Sequence, residues 1–380
     1  MHICFLTNEF PKPGIAHGGV GTFIRNLSLE LVKFDIKVSI VGTNYINVEE
    51  YENLHGINIY RTKKHNLKGL IWYNRAKSIN QKIAEIHQKD PISIVEGTEL
   101  ALAFVNKIPE VKYLIRMNGG HHFFSNAENK KTNPWKSIQE KLSFKKADHV
   151  ISVSKYTAES TRDLLKLGDI SIHIIPNPID VDLFKPADPK AVVKNKLLFV
   201  GTICEKKGVR QLVMAMPKIL QAFPDAQLEI VGREWIDPNS DISFTEYLKT
   251  FITPESKDHI TITGPVDLVK IPEKIASSEI CVYPSHMEAL PLAWLEVLAS
   301  AKAFVGSISG PGPEVVKHGE TGLLADCYDP DDIANHVIDL LANKEKALEL
   351  GRNARKDVLE RFDVKVLVKK NIDYYRSIAS

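Results

Sequence analysis

A chain of 380 residues is long enough for two domains, each able to bury its own core. Its 44% hydrophobic and 25% charged content is that of an ordinary soluble globular protein. With 49 basic against 47 acidic residues the net charge is +2, and no general basic character favours nucleic acid as a partner.

The first residues, MHICFLTNEF, lack a basic start and a long apolar core, so they read as a strand and not as a signal peptide. Further short apolar runs near 37–42, 57–61, 92–95, 112–116, 149–153 and 172–175 read as strands, with helical patterns between them. In 20–34, Phe23, Leu27 and Leu31 recur at helical spacing, and Ile24 and Phe34 extend that face. Strand–helix–strand alternation implies an α/β fold whose parallel sheet is covered on both sides.

The segment 174–189 breaks the rhythm, because four prolines and three aspartates make it a loop. The alternation restarts at KLLFVG (196–201), AQLEIVG (226–232), HITITG (259–264), EICVYPS (279–285) and KAFVGS (302–307). We therefore expect an N-terminal domain over 1–176, a linker over 177–195 and a C-terminal domain over 196–361. Asp329 as cap, Pro330 at the first helical position and acids at 331 and 332 start a helix running to 342. The end of the chain, within 362–380, reads as a closing helix. Cys4, Cys204, Cys281 and Cys327 are far apart and lie in or beside apolar runs, so buried thiols in a reducing compartment are expected. No apolar stretch approaches the ~20 residues of a membrane span. The expected location is the cytoplasm.

Four segments carry chemistry. In HGGVGTF (17–23), Gly18 and Gly19 let backbone approach a ligand just where a helix begins and its positive end faces outward. A dinucleotide fingerprint fits poorly: Ile24 stands where the third glycine belongs, and eleven residues separate the strand from Gly18. The plain alternative is a flexible loop. In PSHMEALPLAWLEVLASAKAF (284–304), Pro291 sits at the first turn of a helix apolar nearly all round. Glu288 and Glu296 sit eight apart, and a carboxylate on a buried helix needs partners such as the hydroxyls of a sugar or ribose. The free N–H groups near Leu292 and Ala293 suit an anion such as a diphosphate. The rival reading is a surface acid and a helix salt bridge. In VGTICEKKGVRQLV (200–213), Lys207 is placed to reach a diphosphate, though such a loop is also an ordinary solvated turn. In GPGPEVVKHGETGLLADCYDPDDIA (310–334), Gly310 and Gly312 lead into Glu314 and a glycine turn follows.

Taken in order, these blocks resemble glycosyltransferase family 4 of the GT-B fold, from the first strand to about residue 362 and most strongly over 196–335. The resemblance implies two Rossmann-like domains, the N-terminal one on the acceptor side and the C-terminal one for the nucleotide-sugar donor, with a cleft between them and a C-terminal helix returning to the N-terminal domain. It implies that Glu288 contacts the donor sugar, Glu296 the ribose, and the backbone N–H groups of Leu292 and Ala293 the diphosphate, whose charge Lys207 neutralises. Gly19 would lie under the sugar and phosphate, and Gly232 would shape the base pocket. Two positions depart from the family pattern. Thr202 stands where an arginine is usual, with Arg210 or Lys206 as substitutes; Asn118 stands where a histidine is usual, with His121 or His122 as substitutes.

The resemblance further implies transfer with retention from a UDP- or GDP-sugar to a glycan, lipid-linked or small-molecule acceptor, as in cell-surface polysaccharide synthesis. Asp180–Val181–Asp182 lies in the linker, so a helix N-terminus and Lys207, rather than a metal, are expected to stabilise the leaving diphosphate. A nucleotide-sugar epimerase of the same fold and a non-catalytic sugar-nucleotide binder remain alternatives. The stretch 129–149 interleaves Lys130, Lys131, Lys136, Lys141, Lys145 and Lys146 with Trp135 and Phe144. It fits either peripheral contact with an anionic membrane at the inner face of the cell membrane or a solvated helix face.

Overall fold

The computed structural model describes every residue except 13, 14, 16, 17, 68, 237–240 and 380. The chain divides into two compact units, Met1–Pro178 with Val364–Ser380, and Ile179–Asp363.

The first unit runs β1 (His2–Leu6), α1 (Gly19–Lys33), β2 (Lys37–Thr43), β3 (Glu50–Leu54), β4 (Ile57–Thr62), α2 (Ile71–Lys89), β5 (Ile94–Gly97) and β6 (Lys112–Met117). It continues with α3 (His121–Ala127), α4 (Pro134–Lys146), β7 (His149–Ser152), α5 (Lys155–Leu165) and β8 (Ile172–Ile174). Among the described residues these strands form one sheet in the order β3-β4-β2-β1-β5-β6-β7-β8. Every residue of β1 is buried, as a central parallel strand covered on both faces requires. The pairing is parallel except at β3, which runs antiparallel to β4 through a two-residue turn with positive φ at His55 and Gly56. Along β3 burial alternates between partial and none, the pattern of an edge strand. α1 buries Phe23, Ile24, Leu27 and Leu31. Phe34 is the residue that ends α1 and is 43% exposed, so it does not extend that face as the spacing suggested.

The second unit runs β9 (Lys196–Val200), α6 (Val209–Ala222), β10 (Gln227–Val231), α7 (Phe244–Lys249), β11 (Ile260–Gly264), α8 (Ile271–Ser277), β12 (Ile280–Val282) and α9 (Leu292–Ala299). β13 (Ala303–Ser307), α10 (Gly312–Val315), β14 (Leu323–Ala325), α11 (Pro330–Ala342) and α12 (Lys344–Arg361) complete it. Its described strands form a parallel sheet in the order β11-β10-β9-β12-β13-β14. At the start of α11 the Asp329 side chain accepts a hydrogen bond from the Asp331 N–H, and Pro330 is the first helical residue.

The last helix, α13 (Val364–Ala379), belongs to the first unit for an electrostatic as well as an apolar reason. Arg116, on β6, is fully buried and donates from Nε to Glu96 Oε1 at 2.6 Å and from Nη2 to Asn371 Oδ1 at 2.6 Å. The Tyr375 hydroxyl donates to Glu96 Oε2 at 2.6 Å. A charge buried this deeply must be paired, and α13 supplies two of the partners. Val368, Ile372 and Ile378 of the same helix join the core formed by α1 and β1. All four cysteines are buried and unpaired. No helix of the described residues is long and apolar enough to cross a membrane.

Candidate active site

In the second unit the chain leaves β9 for β10 and β11 on one side and later places β12, β13 and β14 on the other. The loops after β9 and β12 therefore diverge and open a crevice at the carboxyl ends of the strands, where ligands of open α/β sheets bind. Two contacts hold these loops together. Gly208 has φ +69°, and a Cβ there would stand 1.9 Å from the Pro284 carbonyl oxygen, so only glycine permits the approach. The His286 N–H donates to the Lys206 carbonyl at 2.8 Å. Across this junction Lys207 Nζ pairs with Glu288 Oε1. Gly310, at φ +59°, backs the Glu288 loop; a Cβ there would lie 3.1 Å from Met287 Sδ.

α9 opens directly beyond. Pro291 is its cap, one position ahead of the first turn where the sequence suggested it. The Trp294 and Leu295 N–H groups donate to the Pro291 carbonyl at 3.0 and 3.3 Å, while those of Leu292 and Ala293 donate to no described residue. Trp294, Leu295, Val297 and Leu298 anchor the helix in the core. Glu296 is its one acid. Its carboxyl has no hydrogen-bond partner among the described residues, and burial pushes its pKa up to about 8.

Gly232 closes the neighbouring strand end. It has φ +151°, and a Cβ would meet the Gly201 carbonyl oxygen at 1.8 Å. Of the substitutes for the arginine absent at Thr202, Arg210 is committed elsewhere. Its Nε and Nη2 donate to Glu205, the latter at 2.7 Å, and its guanidinium lies 5.4 Å from the Phe251 ring centre. The sequence reading missed Arg233. Strand order brings it beside this loop, because its carbonyl accepts from the Ile203 N–H at 2.8 Å; its side chain is exposed and makes no ion pair with a described residue.

In the first unit the strand order reverses around β1 and β5, and the loops after these strands line two cavities of about 490 and 670 Å³. The smaller is bounded by Glu99, Asn118, Gly119, Gly120, His121 and Lys136, among others. His121 Nε2 accepts from the Asn133 N–H at 2.7 Å, and burial holds its pKa below the ordinary histidine value. His122 faces inward instead, with Nδ1 on Glu140 and Nε2 on the Ser137 hydroxyl. The Asn118 amide is occupied by the Arg116 carbonyl at 3.1 Å and the Asn177 amide at 2.8 Å. Glu99 accepts from the Asn118 N–H at 2.6 Å, and burial raises its pKa to about 8. Gly18 caps α1 and Gly19 begins it. A Cβ at Gly18 would stand 2.7 Å from Glu9 Oε2, and one at Gly21 would stand 1.9 Å from the Glu9 carbonyl oxygen, so close packing on the loop after β1 explains the third glycine of the motif. His17 lies outside the described residues.

The larger cavity was not foreseen. Trp72 of α2, Phe104 of the loop after β5 and Trp135 of α4 cluster along its wall with ring centres 4.9 to 5.7 Å apart, Trp135 stacked on Phe104 and Trp72 edge-on to Trp135. Phe144 is buried and does not project with the lysines of 129–149, whereas Trp135 packs one face on Phe104 and stays 43% exposed. No group of three or more His, Cys, Asp or Glu side chains is placed to hold a metal ion among the described residues.

Two doubly wound α/β units in one chain are the architecture of the GT-B fold. The description Glycosyltransferase Family 4 matches residues 17–183 and Glycosyl transferases group 1 matches residues 180–357. The chain is a nucleotide-sugar-dependent glycosyltransferase of the GT-B fold, of family 4 or a family related to it. An uncharacterised glycosyltransferase of Methanocaldococcus jannaschii is 26% identical over 99% of this chain and 98% of its own length. The solved sucrose-phosphate synthase of Thermosynechococcus elongatus superposes with a TM-score of 0.84 at 20% identity, over 99% of this chain and 98% of that one. Anabaena HepE, solved with UDP-glucose, superposes with a TM-score of 0.76 at 16% identity, over 99% and 100% of the two chains.

Proposed function

We propose that the chain transfers a hexose with retention of anomeric configuration from a UDP- or GDP-sugar, and that the leaving diphosphate is stabilised without a metal by Lys207 and the N–H groups of Leu292 and Ala293. The observation that carries this reading is the Lys207–Glu288 pair at the switch point, next to backbone donors that no described residue uses. Helix N-termini and fixed cations suit a charge that grows as the glycosidic bond breaks. When a donor arrives, its diphosphate takes Lys207 and its sugar hydroxyls take Glu288. The unpartnered Glu296 carboxyl accepts from the ribose hydroxyls, and Gly232 leaves room for the base. Arg233, whose backbone pairs with Ile203, is an exposed cation beside the loop that carries Thr202. In the first unit Gly18 and Gly19 offer backbone donors at the start of α1, and His121 lines the smaller cavity. Its Nε2 already accepts a backbone N–H, so it acts by contact and not as the base.

The test is a transfer assay with identified donor and acceptor. Lys207→Ala and Glu296→Ala lower activity, excess chelator leaves it intact, and NMR of the first-formed product shows the donor's anomeric configuration. Normal transfer by both variants removes the site assignment. Loss of activity in chelator removes the metal-free mechanism, and an inverted product removes retention. Peripheral membrane attachment through 129–149 would rest on its lysines; sedimentation with vesicles that is independent of anionic lipid removes it.

A further inference from the structure

The turn from β6 into α3, Asn118 to His122, is seated on two buried carboxyls. Glu99, on the loop after β5, is 2% exposed, and Glu140, on α4, is fully buried. Glu99 Oε1 accepts from the Asn118 N–H at 2.6 Å, and Glu140 Oε2 accepts from the His122 N–H at 3.0 Å. The two acids therefore hold the turn by its first and last amides, where α3 has no side-chain cap of its own. Glu140 Oε2 also pairs with His122 Nδ1, and the other ring nitrogen of His122 meets the Ser137 hydroxyl at 2.6 Å. Gly120 separates the carboxyls. A Cβ there would stand 1.8 Å from Glu140 Oε1 and 3.0 Å from Glu99 Cγ, so the acids approach each other across a residue with no side chain. The backbone of Gly120 is ordinary, with φ −81°, so contact and not conformation calls for the glycine. Glu140 Oε1 has no hydrogen-bond partner among the described residues. A buried carboxylate oxygen left empty is costly, and a neighbouring carboxyl that holds a proton relieves it.

We propose that Glu99 and Glu140 are positioning residues: gripping the turn from either side of Gly120, they set where His121 stands in the smaller cavity, and the grip holds while Glu99 carries a proton. This rests on the reading that His121 contacts substrate in that cavity. Burial, and with it the charge of Glu140, raises the Glu99 pKa to about 8 against its backbone hydrogen bonds. Below that value the pair carries one negative charge, which the His122 ring and two backbone N–H groups share. Above it two carboxylates face each other where water is scarce, and their repulsion drives them apart with the amides they hold. His121 lies between Gly120 and His122, so it moves with the turn. Other charges around the turn are His121 itself, whose ring feels Glu140, and Glu9, Glu128, Lys130 and Lys136 on the cavity wall. Of these, Glu128 and Lys130 pair with each other at 2.6 Å. On α5, which packs against α3, Lys155 and Glu159 pair on the exposed face.

The test reads the grip in the full chain without any substrate. Hydrogen exchange, corrected for intrinsic rates, is followed by mass spectrometry on peptides spanning 117–127, and ring signals are followed in protein labelled with ¹⁵N-histidine. In wild type the segment loses protection as pH rises, and the His121 and His122 signals, assigned with His121→Gln and His122→Gln, move together with a midpoint of about 8. Glu99→Ala exchanges about tenfold or more faster in this segment at every pH. Glu99→Gln donates from its amide as the protonated acid would and does not titrate, so it restores most of the protection and abolishes the common step. In the transfer assay Glu99→Ala lowers kcat about tenfold or more, and Glu99→Gln recovers most of that loss. The same pH step in Glu99→Gln as in wild type, unchanged protection in Glu99→Ala, or faster exchange over the whole first unit instead of this segment overturns the proposal. His121→Ala is the separate control: normal transfer by that variant sinks the reading of the cavity, whereas the exchange and ring signals alone decide the grip.

Discussion

Lys207 and Glu288 neutralise each other across the junction of the loops that follow β9 and β12. Neither loop could hold its charge there alone without losing solvation to the neighbouring core. The pair leaves a site with the right charges already in place and little net field, which a doubly charged diphosphate can enter by exchanging partners. Lys207→Ala should lower turnover by about 10²-fold, the typical effect of removing one fixed donor at a developing charge. Glu288→Gln keeps the cation and should retain nucleoside diphosphate affinity while losing turnover. Steady-state kinetics with isothermal titration of the free nucleotide separates the two. Wild-type turnover in Lys207→Ala would place the leaving group elsewhere.

Glu296 gives a pH signature. Its pKa of about 8 in the folded protein exceeds the ordinary value of 4.5, so between those values the native state holds a proton that the unfolded chain has released. Stability from this group is complete below the unfolded value and is lost as pH rises through the folded one. Glu99, also raised to about 8, acts in the same direction. Glu296→Gln should therefore flatten, without abolishing, the fall of melting temperature across that window. Ribose hydroxyls donating to the carboxylate favour its ionised form. Nucleotide binding near neutral pH should then release a proton, and the glutamine variant should release less. Calorimetry in two buffers of different ionisation enthalpy measures this; identical proton release by wild type and variant would separate Glu296 from the ribose.

The architecture was legible because its signals are local. β1 is a continuous apolar run, and the stripe Phe23, Leu27, Leu31 declares α1 within a few residues. Glu288 and Glu296 were legible because they bracket the start of a helix that a strand and Pro291 announce. β3 was missed because EYENL is an edge strand with little to bury. The larger cavity was illegible for another reason: Trp72, Phe104 and Trp135 come from two helices and a loop, and only the fold brings them together. Arg233 was missed likewise, since its place beside the loop after β9 is set by strand order and not by chain distance.

Gly208 and Gly264 form a matched pair for testing how Lys207 is seated. Both have left-handed backbone, with φ of +69° and +76°. A Cβ at Gly208 collides with the Pro284 carbonyl, whereas one at Gly264 meets nothing within 4 Å. Each alanine variant should lose about 1–2 kcal/mol from the backbone alone. Only Gly208→Ala should also lose turnover, about tenfold or more, because the collision pushes the lysine loop off its neighbour. Denaturant melts and initial rates on both variants check this. Equal turnover in the two would mean that the loop contact does not position the lysine.

The buried group around Arg116 predicts how the last helix is held. Arg116→Ala strands the Glu96 carboxylate in the core and removes a donor to Asn371, so it should cost about 3–5 kcal/mol. Tyr375→Phe removes one hydrogen bond to that carboxylate and should cost about 1–2 kcal/mol. Arg116→Met combined with Glu96→Gln removes both charges together and should recover part of the arginine loss. Because Asn371 and Tyr375 lie on α13, weakening the group should also loosen that helix. Limited proteolysis should then cleave near the Asp363–Val364 junction faster in Arg116→Ala than in wild type, while the second unit stays protected. An unchanged cleavage rate together with a lowered melting point would mean that the network stabilises the sheet without fastening the helix.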